Sequence, residues 1–146
     1  PRQGGRVRYA AAAAWDDRRT ARLMGAVAAE GTAVVDTGGG GAVAAAHATA
    51  VVLVCPGTLS GCRRAGRLLE SWRAADIDER VAAVWAHGPG TPEVGARALG
   101  RALGLSVMAE LPWAERDARE IAGGSWPEGR RRPLAGALTR LAGALT

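Results

Sequence analysis

The chain has 146 residues, a net charge of +5 and a hydrophobic content of 48%, much of it alanine. This length corresponds to about one domain and is sufficient for a hydrophobic core. All 19 basic residues are arginine, a bias that we attribute to a GC-rich genome. No run approaches the ~18 consecutive apolar residues of a membrane span. The two cysteines, Cys55 and Cys62, are too few for a disulfide framework or a zinc site.

The excess of basic charge permits a nucleic acid or an anionic membrane as a partner. The arginines, however, are spread along the chain in short groups, and many alternate with Asp or Glu on predicted helices. This pattern is more typical of a solvated helix surface than of a binding surface. The sequence shows no signal peptide, so we expect a cytoplasmic protein.

Short apolar runs alternate with amphipathic segments from the start of the chain. Residues 7–13 predict a strand, and residues 17–30 predict a helix. Residues 32–36 predict a clear strand that ends at Thr37 and four glycines. Residues 42–48 fit either a short helix or a loop. The first third of the chain therefore already shows a strand–helix–strand order.

The best strand candidate is residues 50–54, which are all apolar. A continuous apolar run is typical of a strand that is covered on both of its faces. We therefore expect Val52, Leu53 and Val54 to be fully buried in a central strand.

The second half of the chain continues the alternation, with capping residues and prolines at the predicted helix starts. We predict strands over residues 81–86 and 105–109, and helices that begin after Thr58 or Ser60, after Thr91, near Ala114 and at Pro133. Alternation of this kind indicates an α/β fold with a mostly parallel sheet flanked by helices. We expect a single domain over residues 1–146.

Asp36 is the most informative position for chemistry. It ends a predicted strand and is followed at once by glycines, and ligands of open α/β sheets bind at the carboxyl ends of strands. In P-loop nucleotide hydrolases, an acid at this place orients Mg²⁺, usually through water. The alternative is that Asp36 only caps the following turn. The catalytic and Mg²⁺-binding role requires a phosphate loop nearby.

The glycines after Asp36 have a second interpretation. Gly39, Gly41 and Ala44 match the Gly-x-Gly-x-x-Ala pattern of dinucleotide-binding proteins. That pattern also requires an acid about 20 residues later, and the chain has no Asp or Glu between Asp36 and Glu70. A flexible turn is the better interpretation. The absence of lysine excludes a phosphate loop of the form G-x-x-x-x-G-K-[ST] within this sequence.

In their order and spacing, these motifs resemble the MinD/ParA/CpaE family of P-loop ATPases over about residues 32–145. Residues 32–39 correspond to the Walker B and switch II strand of the family, and residues 50–69 to an apolar strand with its helix. Residues 81–87 correspond to a strand that ends in Asn-Arg or Asn-Lys in the family, and residues 98–113 include the strand before a Leu-Pro pair. Residues 129–145 correspond to a C-terminal amphipathic helix.

The resemblance implies a P-loop-NTPase-like fold and a bacterial, homodimeric, ATP-dependent switch that positions cargo, chromosomes or septum machinery. It implies that Asp36 acts with ATP and Mg²⁺. It places the remaining nucleotide contacts after the predicted strands, at Gly38, Gly39, His87, Pro112, Trp113 and Glu115.

The sequence departs from the family at two places. It lacks the N-terminal strand with the Walker A loop, and the adenine-contacting Asn of the family falls near Ala86. Since the sequence begins at Pro1 without Met, we expect the C-terminal part of a larger ATPase domain, incomplete for catalysis. The alternatives are a degenerate, non-hydrolysing interaction module and, less favoured, a Rossmann-like dinucleotide-binding protein.

The predicted C-terminal helix has leucines on one face, and three arginines precede it. In the family, a membrane or DNA contact through such elements is known, which here would use Arg130, Arg131, Arg132 and the helix. We favour packing on the sheet, with Leu138 and Leu141 buried. The reason is that the polar face is mostly Ala, Gly and Thr, whereas membrane-surface helices carry Lys or Arg there.

Overall fold

The computed structural model describes residues 17–28, 34–37, 41–77, 81–127 and 132–145. Helices and strands alternate through these ranges, which confirms the predicted α/β class. The helices are α1 (Asp17–Ala28), α2 (Ala42–His47), α3 (Leu59–Arg73), α4 (Ala96–Leu103), α5 (Glu115–Ala122) and α6 (Pro133–Leu145). The strands are β1 (Val51–Pro56), β2 (Val81–Ala86) and β3 (Val107–Leu111). Of the two alternatives for residues 42–48, the structure has the short helix.

The three described strands form one parallel sheet in the order β1-β2-β3. β1 and β2 pair without interruption, whereas β2 and β3 pair with an irregularity between Ala83 and Val84. Pro56 pairs with Ala86, and Ala86 pairs with Leu111. The last residues of the three strands therefore lie side by side, and the connections that follow them meet at one edge of the sheet.

The hydrophobic core lies between the sheet and helices α3 and α4. The Thr58 hydroxyl accepts a hydrogen bond from the Gly61 amide at 3.0 Å and so starts α3, as a helix cap does. Gly104, with φ of 65°, ends α4 in the left-handed conformation that glycine adopts readily. The buried residues that form this core are Ala45, Val51, Leu53, Cys55, Ala65, Leu69, Trp72, Ile77, Trp85, Leu99 and Leu103.

Burial along β1 alternates instead of being continuous. Leu53 is 6% exposed, but Val54 is 53% exposed and Val52 is only partly buried. The prediction that all three are fully buried is therefore wrong for Val52 and Val54. Helices α3 and α4 pack against the side chains of β1 that point into the core, whereas α6 contacts β3, at the far end of the sheet from β1.

The prediction of a strand at residues 32–36 is also wrong for the part that the structure describes. Residues 34–37 have no regular secondary structure, and Val34 is 97% exposed. A strand needs an adjacent strand for its backbone hydrogen bonds, and none of the described strands pairs with this segment. The predicted strand at residues 7–13 lies outside the described residues.

Helix α6 packs against β3, as predicted, but it does so through alanines and not through leucines. Ala135 is 4% and Ala137 is 2% exposed, whereas Leu138 and Leu141 are only half-buried. The expectation that these two leucines are buried is thus wrong, because the small alanine side chains are the ones that let the helix approach the sheet closely. No helix in the described ranges is long and apolar enough to cross a membrane.

Cys55 and Cys62 are free thiols in different surroundings. Cys55 is 0% exposed at the end of β1, and Cys62 is partly buried in the first turns of α3. Burial, with a smaller contribution from the neighbouring Cys62, raises the pKa of the Cys55 thiol to about 12. Cys55 therefore behaves as a small apolar core residue.

The first prediction compares two neighbouring residues of β1. Leu53→Ala should lower the free energy of unfolding by about 2–5 kcal/mol, because it removes buried methyl groups from the core. Val54→Ala, at a half-exposed position of the same strand, should change it by no more than ~1 kcal/mol. Urea denaturation of both variants measures the difference. Similar losses in the two variants would contradict the one-sided burial of β1.

The second prediction concerns the thiols. Iodoacetamide should modify Cys62 in the native chain well before Cys55, since the thiolate is the reactive form and the buried Cys55 keeps its proton. Between pH 9 and 12 the unfolded chain loses this proton while the native chain retains it, so Cys55 should lower stability as the pH rises. Mass spectrometry of labelled peptides, with Cys62→Ser as a control, tests the order. Equal labelling rates would contradict it.

Candidate functional site

The edge of the sheet at the carboxyl ends of the strands is held by hydrogen bonds that continue beyond the strands. The Gly57 amide donates to the Ala86 carbonyl at 3.0 Å, and the His87 amide donates to the Leu111 carbonyl at 2.8 Å. The first residue after β1 and the first residue after β2 are thus each bound to the neighbouring strand. This arrangement fixes the start of both connections.

Trp85 connects this edge to the segment before α4. Its indole Nε1 donates to the Val94 carbonyl at 2.9 Å. The Gly57 carbonyl accepts from the amides of Glu93 and Val94 at 2.8 and 3.1 Å. A Cβ atom at Gly57 would lie 3.0 Å from Trp85 Nε1 and 3.0 Å from Pro92 Cβ. A side chain at this position would therefore displace Trp85 or Pro92 by a few tenths of an ångström.

The N-terminus of α3 is occupied by protein groups. A carboxylate oxygen of Glu93 accepts a hydrogen bond from the Leu59 amide at 2.7 Å. Together with the Thr58 cap, this satisfies amides that are otherwise left without partners at a helix start. We therefore do not assign an anion site to this end of α3.

A groove opens beside this edge, between the ends of β2 and β3 and the N-terminal half of α6. This open groove has a volume of about 860 Å³, which is within the range of small-molecule sites. The His87 ring contacts the Trp85 ring edge-on, with 5.0 Å between centroids, and its Nδ1 lies 2.9 Å from the Gly88 carbonyl oxygen. The residues lining the groove are Trp85, His87, Glu110, Pro112, Arg132, Pro133, Gly136 and Arg140.

Two of the residues predicted from the sequence to contact nucleotide, His87 and Pro112, line this groove together. Trp113 follows directly and is 50% exposed. Glu115 begins α5, where its carboxylate is paired with Arg119 of the same helix. Trp113 and Glu115 are therefore near the groove in sequence but are not among its lining residues.

The residues predicted around the phosphates lie apart from this groove. Asp36 is exposed in the segment of residues 34–37 and does not line the groove. Gly38 and Gly39 lie outside the described residues. Among the residues that are described, no group of three or more His, Cys, Asp or Glu side chains could hold a metal ion. A single carboxylate suffices for Mg²⁺ only if nucleotide phosphates and water supply the other ligands.

A buried ion pair at the start of α6 was not predicted from the sequence. Asp117 is 3% exposed and accepts hydrogen bonds from Arg132 at 3.1 Å and from the Leu134 amide at 3.2 Å. Arg132 also donates to Glu120 at 3.0 Å. The only sequence signal was an arginine directly before the helix start at Pro133, and spacing alone does not identify its acidic partner.

This ion pair corrects the interpretation of Arg132 as a surface cation for membrane or DNA. Its side chain is only 16% exposed. Hydrogen bonds to Asp117 and Glu120 raise the pKa of its guanidinium above the ordinary value. Arg130 and Arg131 lie outside the described residues.

Comparisons with known proteins give a result at the level of structure. Neither a protein-family model nor a curated protein sequence matches the chain. The MinD cell division protein of Aquifex aeolicus superposes with a TM-score of 0.67 and 14% identity, covering 89% of this chain and 60% of that one. A ParA family ATPase from Chlorobium tepidum TLS gives a TM-score of 0.64 and 17% identity, covering 90% and 58%.

The chain thus spans about three fifths of the length of both structures that it matches. At these identities, the similarity establishes the fold, in agreement with the resemblance seen in the sequence. Over the greater part of its length, the chain has the α/β fold of the MinD and ParA family ATPases.

Proposed function

We propose that the chain is part of a nucleotide-dependent switch of the MinD/ParA kind, and that the groove holds the base and the first phosphate of its nucleotide. The observation that carries this proposal is the position of the groove in the fold. It lies at the carboxyl ends of parallel strands, where ligands of open α/β sheets bind. A ParA family ATPase shares the fold.

The contacts of His87 support its assignment to the base. The half-buried ring is held in place by the Trp85 ring and by the backbone hydrogen bond to the neighbouring strand. It therefore places an aromatic ring on the groove wall, beside Pro112. Aromatic surfaces that are fixed in this way bind planar rings by stacking.

The resemblance implies ATP and Mg²⁺ as the ligands. Bound Mg²⁺ neutralises phosphate charge, and Asp36 is the acid proposed to hold it, through water. We do not propose hydrolysis by this chain by itself, because the sequence contains no lysine to place on the β- and γ-phosphates. A cytoplasmic location and a homodimer are part of the proposal, and a membrane or DNA contact would involve Arg130 and Arg131 without Arg132.

The third prediction tests nucleotide binding. The chain should bind ADP in the presence of Mg²⁺ in isothermal titration calorimetry, and His87→Ala should weaken binding about tenfold, which corresponds to ~1.4 kcal/mol. His47→Ala, at an exposed histidine on α2, is the matched control and should leave the affinity unchanged. ATP turnover should stay below ~1 per minute, far under the roughly 1–10³ s⁻¹ of typical enzymes.

Two results would reject the proposal. One is the absence of ADP binding at millimolar concentration by a chain that is shown to be folded. The other is tight binding of NAD that ADP does not displace, which would favour the dinucleotide-binding alternative. Equal affinity of the wild-type chain and the His87→Ala variant would remove His87 from the site.

A further inference from the structure

The groove has a second wall, and helix α5 determines the position of that wall. The wall consists of residues at the start of α6, from Arg132 to Arg140. The buried carboxylate of Asp117, on α5, accepts hydrogen bonds from the amides of Leu134 and Ala135 at 3.2 and 3.5 Å. It also accepts one from Arg132 at 3.1 Å. Asp117 thus caps α6 from a neighbouring helix.

Because of this cap, the amides at the start of α6 are not available to a ligand in the groove, whereas one arginine of α6 is. The first amides of α6 have Asp117 as their partner, so they do not serve as an anion site. Arg132 is also engaged, by Asp117 and Glu120. The remaining cation on this wall is Arg140, which is exposed.

Arg140 has the position and the chemistry to bind an anion. No carboxylate in the described part of the chain lies within ion-pair distance of its guanidinium. Its Nη1 lies 3.6 Å from the place that a Cβ atom of Gly136 would occupy. The guanidinium therefore extends back over Gly136, along the wall of the groove. A guanidinium binds phosphate with two parallel hydrogen bonds, which makes its position decisive.

We propose that Arg140 binds a phosphate group of the groove ligand, and that Asp117 is a positioning residue that holds α6, and with it Arg140, in place for this contact. The inference rests on the proposed function and adds the residue that recognises phosphate and the contact on which its position depends. Asp117 itself lies outside the groove lining and acts only through α6.

The fourth prediction uses a double-mutant cycle with ADP and adenosine as probes and the full 146-residue chain. Arg140→Gln should weaken ADP binding about tenfold and leave adenosine binding unchanged, because adenosine has no phosphate. Asp117→Asn should weaken ADP binding several-fold in the wild-type background and have no further effect in Arg140→Gln. Arg67→Gln, at an exposed arginine on α3, is the control and should bind as wild type.

Each outcome of the cycle is informative. Unchanged ADP binding by Arg140→Gln overturns the assignment of Arg140 while the proposed function stands. An equal loss from Asp117→Asn in both backgrounds shows that Asp117 has only a structural role and overturns the positioning role. Failure of the unaltered chain to bind either probe rejects the proposed function itself.

Thermal melting of each variant separates positioning from unfolding. If Asp117→Asn does not fold, Glu120→Gln takes its place in the cycle, because it weakens the second contact of Arg132 and otherwise changes only the pair with the exposed Arg116. Glu120→Gln should weaken ADP binding in the wild-type background and have no effect in the Arg140→Gln background. The same loss in both backgrounds would overturn the positioning role.

Discussion

The parallel pairing of β1, β2 and β3 up to their carboxyl ends is the constraint on which the rest of the structure depends. It brings Pro56, Ala86 and Leu111 to one edge of the sheet, and hydrogen bonds from Gly57 and His87 extend the pairing beyond it. These hydrogen bonds fix the backbone at the start of the connections that follow β1 and β2. The ends of β2 and β3 form one side of the groove. Helix α6, which packs near β3, forms the other side.

Two arginines, one directly before α6 and one within it, show how the surroundings determine the role of a side chain. Arg132 and Arg140 both line the groove. Arg132 is tied to a buried acid and an adjacent glutamate, so it contributes to the attachment of α6 to α5. Arg140 has no such acid beside it among the described residues and lies over Gly136. A count of basic residues would treat the two alike, although only one has a guanidinium available to a ligand.

Local sequence signals were sufficient for elements whose bounds depend on the residues of a single segment. β2 and α6 have the predicted bounds, because a short apolar run and a proline at a helix start are local features. His87 and Pro112 were predicted from the family resemblance, and they lie together because both follow strands whose ends meet in the parallel sheet. The sequence could not predict that Val54 is half-exposed, because its burial depends on which helix covers which strand.

Features that depend on distant residues could not be predicted. Asp117 looks like one of several acids on a solvated helix, and only its contact with Arg132, 15 positions later, shows that it is buried. The strand predicted at residues 32–36 has the composition of a strand but no described neighbour with which to pair. In both cases the missing information was the identity of the partner, which spacing in the sequence does not contain.

Amide hydrogen exchange measured by NMR tests the alignment of the strand ends most directly. The amides of Gly57 and His87 lie just outside their strands, yet both donate to carbonyls of the neighbouring strand. They should exchange as slowly as the amides within β2, since they open only when the sheet opens. Exchange as fast as that of the exposed Gly88–Gly90 segment would contradict the alignment on which the groove depends.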